Sequence, residues 1–407
     1  MWLAVVHSFG FGRGGDGNVI PGSFIVLLKD SKYTDLVPED LILNHLRGIF
    51  GIQRTPSFLR NKLESSNLLK YIKSRFSFGY VLDQMSDMQV RLLKLLPDVL
   101  DVVPNRIISL NPELLEKLRC NRPPAENSLI NTPWYLDRID QNSTGPTLDG
   151  SYSYNSTGAG VTVYVVDTGI RTSHKEFEGR ASNGVNCVSG EADQDFFGHG
   201  TLVASLVNGR VYGVAKKAQV VSVKVLDRRG SGTIETVLCG LNWIMKNKAP
   251  NSIINVSLGL IRQDAAMETA VKRAIAMNIQ VVVAAGNDNT DACGTHPAGI
   301  QEVLTVGATD RNDARASFSN YGSCVDIFAP GVGICGAGST SDNAGICLNG
   351  TSFASPITAG ALARVMSNSV SFNQSIQTAL VDLAKQDAVQ LAGDRSPKRL
   401  LNVPAWI

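Results

Sequence analysis

Val161-Thr-Val-Tyr-Val-Val166, followed at once by Asp167-Thr-Gly169, is an unbroken apolar run that ends on a carboxylate and a turn. A run without a polar face reads as a strand covered on both sides. The same texture returns at 220–226, 253–258, 279–285 and 303–306, and helical spacing occurs between these runs at 200–207, 233–245, 265–277 and 351–366. Buried strands alternating with helices predict an α/β domain, a mainly parallel sheet with helices on both faces. In such a sheet the reactive groups collect at the carboxyl ends of the strands, which is where Asp167 stands.

Residues 19–110 have a different pattern. An apolar strand, Phe24-Ile-Val-Leu-Leu28, is followed by a helical stretch at 41–49, a helix from Asp87 and a closing strand at 99–108. Ser86 and Gln89 make a capping box, Val90, Leu92, Leu93 and Leu96 give that helix an apolar face, and Pro97 stops it. This is a small α+β unit. Arg119-Cys-Asn-Arg-Pro-Pro-Ala-Glu-Asn127 is charged and carries paired prolines, so 111–130 reads as an exposed linker and 131–407 as the α/β domain.

Composition narrows the function classes. The 407 residues are 43% hydrophobic and 18% charged with 38 glycines, which excludes wholesale disorder and collagen. Lys plus Arg number 38 against 36 Asp plus Glu, a net +2 too balanced for polyanion binding to be the main purpose, so no nucleic-acid partner is expected. No apolar run approaches the roughly 18 residues of a spanning helix, so no membrane segment is expected. Met1 to Val6 is apolar but lacks a basic start and soon reaches Gly-rich sequence, which makes 1–18 a weak leader. The seven cysteines form no CxxC and have no histidine at zinc spacing, which leaves disulfides as the better reading. Asn142-Ser-Thr and Asn155-Ser-Thr are glycosylation sequons in polar stretches and fit a secreted protein. Asn255-Val-Ser and Asn349-Gly-Thr fall at a core strand and a buried turn and are discounted.

Four short motifs carry chemistry. Asp167-Thr-Gly alone is a capped turn, and His199 in Gly198-His-Gly-Thr201, at a helix start with glycines leaving the imidazole accessible from both sides, would alone be a structural histidine. Ser352 sits in Gly350-Thr-Ser-Phe-Ala-Ser-Pro356, a turn entering a helix whose first free N–H groups face anything bound beside the hydroxyl. Asn287 ends the apolar run Val281-Val-Val-Ala-Ala-Gly-Asn287, where its amide can donate to an oxyanion. Acyl transfer needs a serine, an imidazole to take its proton, a carboxylate to hold the imidazole's tautomer, and oxyanion donors. All are present, each at a strand end or helix start, and together they outweigh the structural readings of the single motifs.

With these motifs the chain resembles the subtilisin family of serine endopeptidases, in its proteinase K-type subfamily. The resemblance is carried by Asp167-Thr-Gly, His174-Lys-Glu-Phe-Glu-Gly-Arg180, Gly198-His-Gly-Thr, Tyr212-Gly-Val-Ala-Lys-Lys217, Val223-Lys-Val-Leu-Asp227, Ala285-Gly-Asn287, Ser317-Phe-Ser-Asn-Tyr-Gly322 and Gly350-Thr-Ser352, from about Thr132 to Trp406. The first unit resembles the family's inhibitory propeptide through Ile20-Pro-Gly-Ser-Phe-Ile-Val-Leu-Leu-Lys29 and Pro97-Asp-Val-Leu-Asp-Val-Val-Pro-Asn105.

The resemblance implies a three-layer α/β/α domain preceded by a propeptide that acts as intramolecular chaperone and inhibitor. It also implies a secreted, monomeric zymogen that processes itself within 111–130 and needs no cofactor for its chemistry. Asp167 would orient His199, His199 would act as base and then acid, Ser352 would attack the scissile carbonyl, and Asn287 would stabilise the oxyanion. Gly230, Ser231 and Gly232, and Ser257, Leu258 and Gly259, would pair with substrate backbone. Ala284, Ala285 and Gly286 would line a pocket with small walls, implying broad specificity with apolar or aromatic residues before the cut. Asp326, with the carbonyls of Gln301 and Val303, resembles a calcium site; a solvated loop carboxylate is the other reading. Cys293 and Cys324 fall where some relatives have a disulfide. Cys335 and Cys347 would close a loop before Ser352, unless both are free buried thiols. Cys187 and Cys239 stay unassigned, and Cys120 is the odd one.

The chain departs from the family at Leu202 and Ile357, where relatives usually carry histidines, at Leu260, where a glycine is usual, and at Phe353, where methionine is commoner. An apolar contact replacing a His pair is the expectation for Leu202 and Ile357. Two other classes compete with this reading. A silent relative used for binding is opposed by the intact Asp, His, Ser and Asn set. An α/β-hydrolase esterase would need Gly-x-Ser-x-Gly and the order Ser, Asp, His, which are not there.

Overall fold

A computed structural model describes residues 18–29, 36–50, 68–110, 132–141, 147–368 and 375–407. The Asn142 sequon, Cys120, the weak leader up to residue 17 and the linker 111–130 lie outside the described residues.

The first unit consists of β1 (Val19–Leu28), α1 (Glu39–Ile49), β2 (Ile72–Phe76), β3 (Gly79–Leu82), α2 (Asp87–Lys94) and β4 (Val99–Ser109). Its strands are antiparallel in the order β2-β3-β1-β4. The capping box forms as expected: Ser86 Oγ accepts from the Gln89 N–H, and Gln89 Oε1 accepts from the Ser86 N–H. Alternation along β1 explains its continuous apolar run. Val26 and Leu28 pack under this unit's own helices, whereas Ile25 and Leu27 face the other way, into a cluster shared with the second unit.

The second unit follows with α3 (Trp134–Asp140), β5 (Thr162–Asp167), β6 (Ala181–Asn186), α4 (His199–Asn208), β7 (Gln219–Lys224), β8 (Ser231–Thr233) and α5 (Ile234–Asn247). Next come β9 (Ser252–Val256), α6 (Ala265–Ala276), β10 (Gln280–Ala284), β11 (Leu304–Thr309) and β12 (Ile327–Pro330). It closes with β13 (Ile334–Ala337), β14 (Gly345–Leu348), α7 (Thr351–Ser367) and α8 (Ile376–Leu383). A seven-stranded sheet runs β12-β11-β10-β9-β5-β7-β6, parallel at every pairing. Successive β5 side chains enter opposite layers: Val163 and Val165 meet α4 and α7, while Tyr164 and Val166 meet α5 and α6. This is the three-layer α/β/α arrangement expected. The chain leaves β5 toward β6 and β9 toward β10, on opposite sides, so a crevice opens at the carboxyl ends between β5 and β9.

Several boundaries shift from the sequence reading for identifiable reasons. β7 ends at Lys224, because the N–H groups of Val225 and Leu226 both turn to the carbonyl of Asp167. β9 ends at Val256, which frees Ser257, Leu258 and Gly259 from the sheet. Seven strands were not anticipated: β2, β6 and β8 are polar, and β3 and β12 to β14 are only four residues long. Leu202 and Ile357 are fully buried in one core cluster, as an apolar replacement requires. Cys293–Cys324 and Cys335–Cys347 are disulfides, and so is Cys187–Cys239, whose 52-residue separation offered no local signal. Asn155 is exposed, Asn255 is buried in β9, and Asn349 is half-buried.

Candidate active site

Asp167 is the last residue of β5 and His199 the first of α4, and both are buried. His199 Nδ1 lies 2.8 Å from each carboxylate oxygen of Asp167. The glycines beside His199 do not open the imidazole to solvent as the sequence suggested; they let its helix close on the strand. Gly198 caps α4 with φ +102°, and a Cβ on Gly200 would stand 2.2 Å from the Gly169 carbonyl.

Asp195 was missed by the sequence reading and organises this helix start. Its Oδ1 accepts from the Thr168 hydroxyl and the N–H groups of Phe197 and Gly198, and its Oδ2 accepts from the N–H and hydroxyl of Thr201. A carboxylate on free N–H groups at a helix N-terminus is doubly favourable. Lys224, also missed, is buried with Nζ donating to the carbonyls of Thr168 and Leu226, and Glu191 Oε2 is 3.4 Å away. Burial pushes the Glu191 carboxyl up, but Arg228 and Lys224 outweigh it and hold it below the usual range.

Ser352 is the second residue of α7, a helix buried all round from Thr351 to Val365. Pro356 lies inside this helix and has no N–H for the carbonyl of Ser352 four residues earlier. Ser257 fills that vacancy: its hydroxyl donates to the Ser352 carbonyl at 2.9 Å. Asn255 supports both sides, donating to Ser257 Oγ and accepting from the Ser355 hydroxyl. The Ser352 hydroxyl donates to the Ser257 carbonyl at 3.2 Å and not to His199, whose Nε2 is buried without a hydrogen-bond partner among the described residues. The His199 ring packs against Phe353, centroids 5.5 Å apart.

Asn287 follows β10. Its Oδ1 accepts from both the N–H and the hydroxyl of Thr351, 2.9 Å each, which leaves Nδ2 as the half of the amide turned to Gly350. The Gly286 N–H also donates to the Thr351 hydroxyl. Thr351 therefore ties the strand end bearing Ala284, Ala285 and Gly286 to the start of the Ser352 helix.

β8 adds to the first unit's sheet as its fifth strand, antiparallel to β4: Ile107 faces Thr233, Ile108 faces Gly232 and Ser109 faces Ser231. The Leu110 N–H then donates to the Gly230 carbonyl at 2.8 Å. Gly230, Ser231 and Gly232, one of the two segments expected to pair with substrate, thus hold an extended segment of the same chain. Leu260 pairs its backbone with His296, is buried and does not have a positive φ, so the position does not need a glycine's conformation.

A subtilase-family model matches residues 158–399. The chain belongs to the subtilase family. Among similar proteins, the extracellular serine proteinase of Thermus sp. (strain Rt41A) is 47% identical over 67% of this chain and 66% of that protein. The alkaline serine exoprotease A of Vibrio alginolyticus is 40% identical over 74% of this chain and 54% of that protein. A crystal structure of a cold adapted subtilisin-like serine proteinase is 41% identical, with TM-score 0.63 over 67% of this chain and 98% of that one. The chain thus spans 66% and 54% of the length of these two relatives.

Among the described residues no helix is long and apolar enough to cross a membrane, and no three His, Cys, Asp or Glu side chains gather as a metal cluster. Asp326 is half-buried, and desolvation pushes its carboxyl up to about 6, partly offset by the Thr305 N–H that its Oδ2 accepts. A carboxylate with backbone carbonyls is the class of oxygen donor that suits a hard, oxygen-seeking cation.

Proposed function

We propose that this chain is a secreted, monomeric serine endopeptidase of the proteinase K type, made as a self-processing zymogen. His199 takes the proton of Ser352 Oγ and returns it to the leaving amine, Asp167 holds the imidazole with its N–H at Nδ1, and Asn287 Nδ2 receives the oxyanion. The observation that carries this reading is the state of His199: Nδ1 on both oxygens of Asp167, and Nε2 buried and unbonded. A buried ring nitrogen without a partner is unfavourable, and a Ser352 hydroxyl turned away from the Ser257 carbonyl would satisfy it.

In this reading 19–110 is the inhibitory propeptide. The support is β4, which occupies β8 by strand addition as an extended substrate would. Substrate backbone pairs with Gly230 to Gly232 on one side and Ser257 to Gly259 on the other. The small residues Ala284, Ala285 and Gly286 leave room for apolar or aromatic side chains before the cut. Calcium held by Asp326 and the carbonyls of Gln301 and Val303 would supply charge compensation and rigidity, with no part in the chemistry.

The test is intact-mass analysis of the full-length protein beside its Ser352→Ala variant, with a peptide-hydrolysis assay on both. Loss of the first unit and peptide cleavage in the wild type alone are the expected results. If both proteins stay whole and neither cleaves peptides, the catalytic reading is wrong.

A further inference from the structure

In Ser317-Phe-Ser-Asn-Tyr-Gly322, Asn320 is fully buried. Its Nδ2 donates to the Ala285 carbonyl at 2.9 Å. Its Oδ1 accepts from the N–H groups of Asp288 and Thr290, 3.0 Å each, and from the Thr290 hydroxyl at 3.3 Å. Its own N–H donates to the Gly286 carbonyl at 2.9 Å. These partners leave the amide one orientation, because a carbonyl demands the NH2 and two N–H groups demand the oxygen. They also bracket Asn287, with Ala285 and Gly286 before it and Asp288 and Thr290 after it. Gly286 has φ +105°, and a Cβ there would stand 2.4 Å from Asn320 Nδ2, so the seating needs a glycine.

We propose that Asn320 is a positioning residue for the oxyanion: it clamps the 285–290 turn so that Asn287 Nδ2 stays aimed where negative charge develops. The inference rests on the reading of Asn287 as oxyanion donor. Thr351 holds the side chain of Asn287, but only Asn320 among these partners holds the backbone on both sides of it. A turn that relaxes by about 1 Å would carry the donor out of range, a displacement that can cost on the order of 100-fold in rate.

The experiment is a double-mutant cycle on the processed enzyme with a chromogenic peptide, using Asn320→Asp, Asn287→Ala and the combination. Asn320→Asp keeps the acceptor for the two N–H groups and loses the donor to Ala285. A kcat lower by about 10- to 100-fold, a KM within about twofold, and no further loss when added to Asn287→Ala are expected. Losses that multiply in the double variant, or an unchanged kcat, overturn the proposal. If Asn320→Asp does not fold, Thr290→Ala removes one of the Oδ1 donors. A smaller kcat loss that vanishes in the Asn287→Ala background supports the proposal, and a loss that persists there, or none at all, overturns it. Activity surviving in Ser352→Ala would instead sink the catalytic reading itself.

Discussion

The Ser257 hydroxyl bonds the Ser352 carbonyl at 2.9 Å because Pro356 cannot. A proline that would weaken an ordinary helix here frees a carbonyl through which the segment after β9 is fastened to the Ser352 helix. The reciprocal bond, from the Ser352 hydroxyl to the Ser257 carbonyl, describes the site while β4 lies along β8.

Ser257→Ala should therefore act on stability more than on substrate pairing, which uses the backbone. It leaves the Ser352 carbonyl and Asn255 Nδ2 buried without their partner, a loss of about 1–3 kcal/mol. Urea denaturation in the Ser352→Ala background, where autolysis cannot interfere, would read it. An unchanged midpoint would mean that water replaces the hydroxyl.

Asp195→Asn replaces a carboxylate that accepts from both ends of the Phe197 to Thr201 turn with an amide that accepts at one oxygen only. One set of donors is left facing an NH2 group, and His199 is the first residue of the helix they begin. We expect about 1–3 kcal/mol of destabilisation and a lower kcat with a nearly constant KM. Steady-state kinetics with wild-type kcat would refute the positional argument.

Leu202→His alone should unfold the core more easily, since it buries an imidazole among apolar side chains, at a cost of about 1–3 kcal/mol. The double replacement Leu202→His with Ile357→His should recover part of that loss by pairing the two rings. If the single variant melts no lower than its parent, Leu202 and Ile357 are not replacing a polar pair.

Lys216 supplies a pH test. Burial lowers it to about 8 from the ordinary 10.5, against the pull of Glu176. The fold thus disfavours its charged form, and between these values the unfolded chain binds the proton that the native state has lost. Stability contributed at this residue should rise as pH goes from about 8 to 10.5, and the penalty should be fully present below 8. Comparing denaturation midpoints of wild type and Lys216→Met across that range isolates the effect. Parallel pH curves would show that the ammonium is solvated.

The sequence by itself determined the layered α/β plan and singled out Asp167, His199, Asn287 and Ser352 as the candidate reacting groups. Runs such as 161–166 and 279–285 have no polar face, so only a sheet covered on both sides can bury them, and a strand end is where Asp167 and Asn287 then fall. The capping box at Ser86 is likewise local, made within one turn. What only the tertiary structure decided are contacts between groups far apart in the chain. Cys187 meets Cys239, Lys224 reaches the Thr168 carbonyl, Asp195 gathers donors from Thr168 to Thr201, and Asn320 brackets Asn287. β8 could not be read from Ser-Gly-Thr, because a three-residue polar strand exists only through its partner, and that partner is β4 of the other unit. Buried polar groups must be paired wherever the fold brings them, and no periodicity in a single chain records which distant partner will be there.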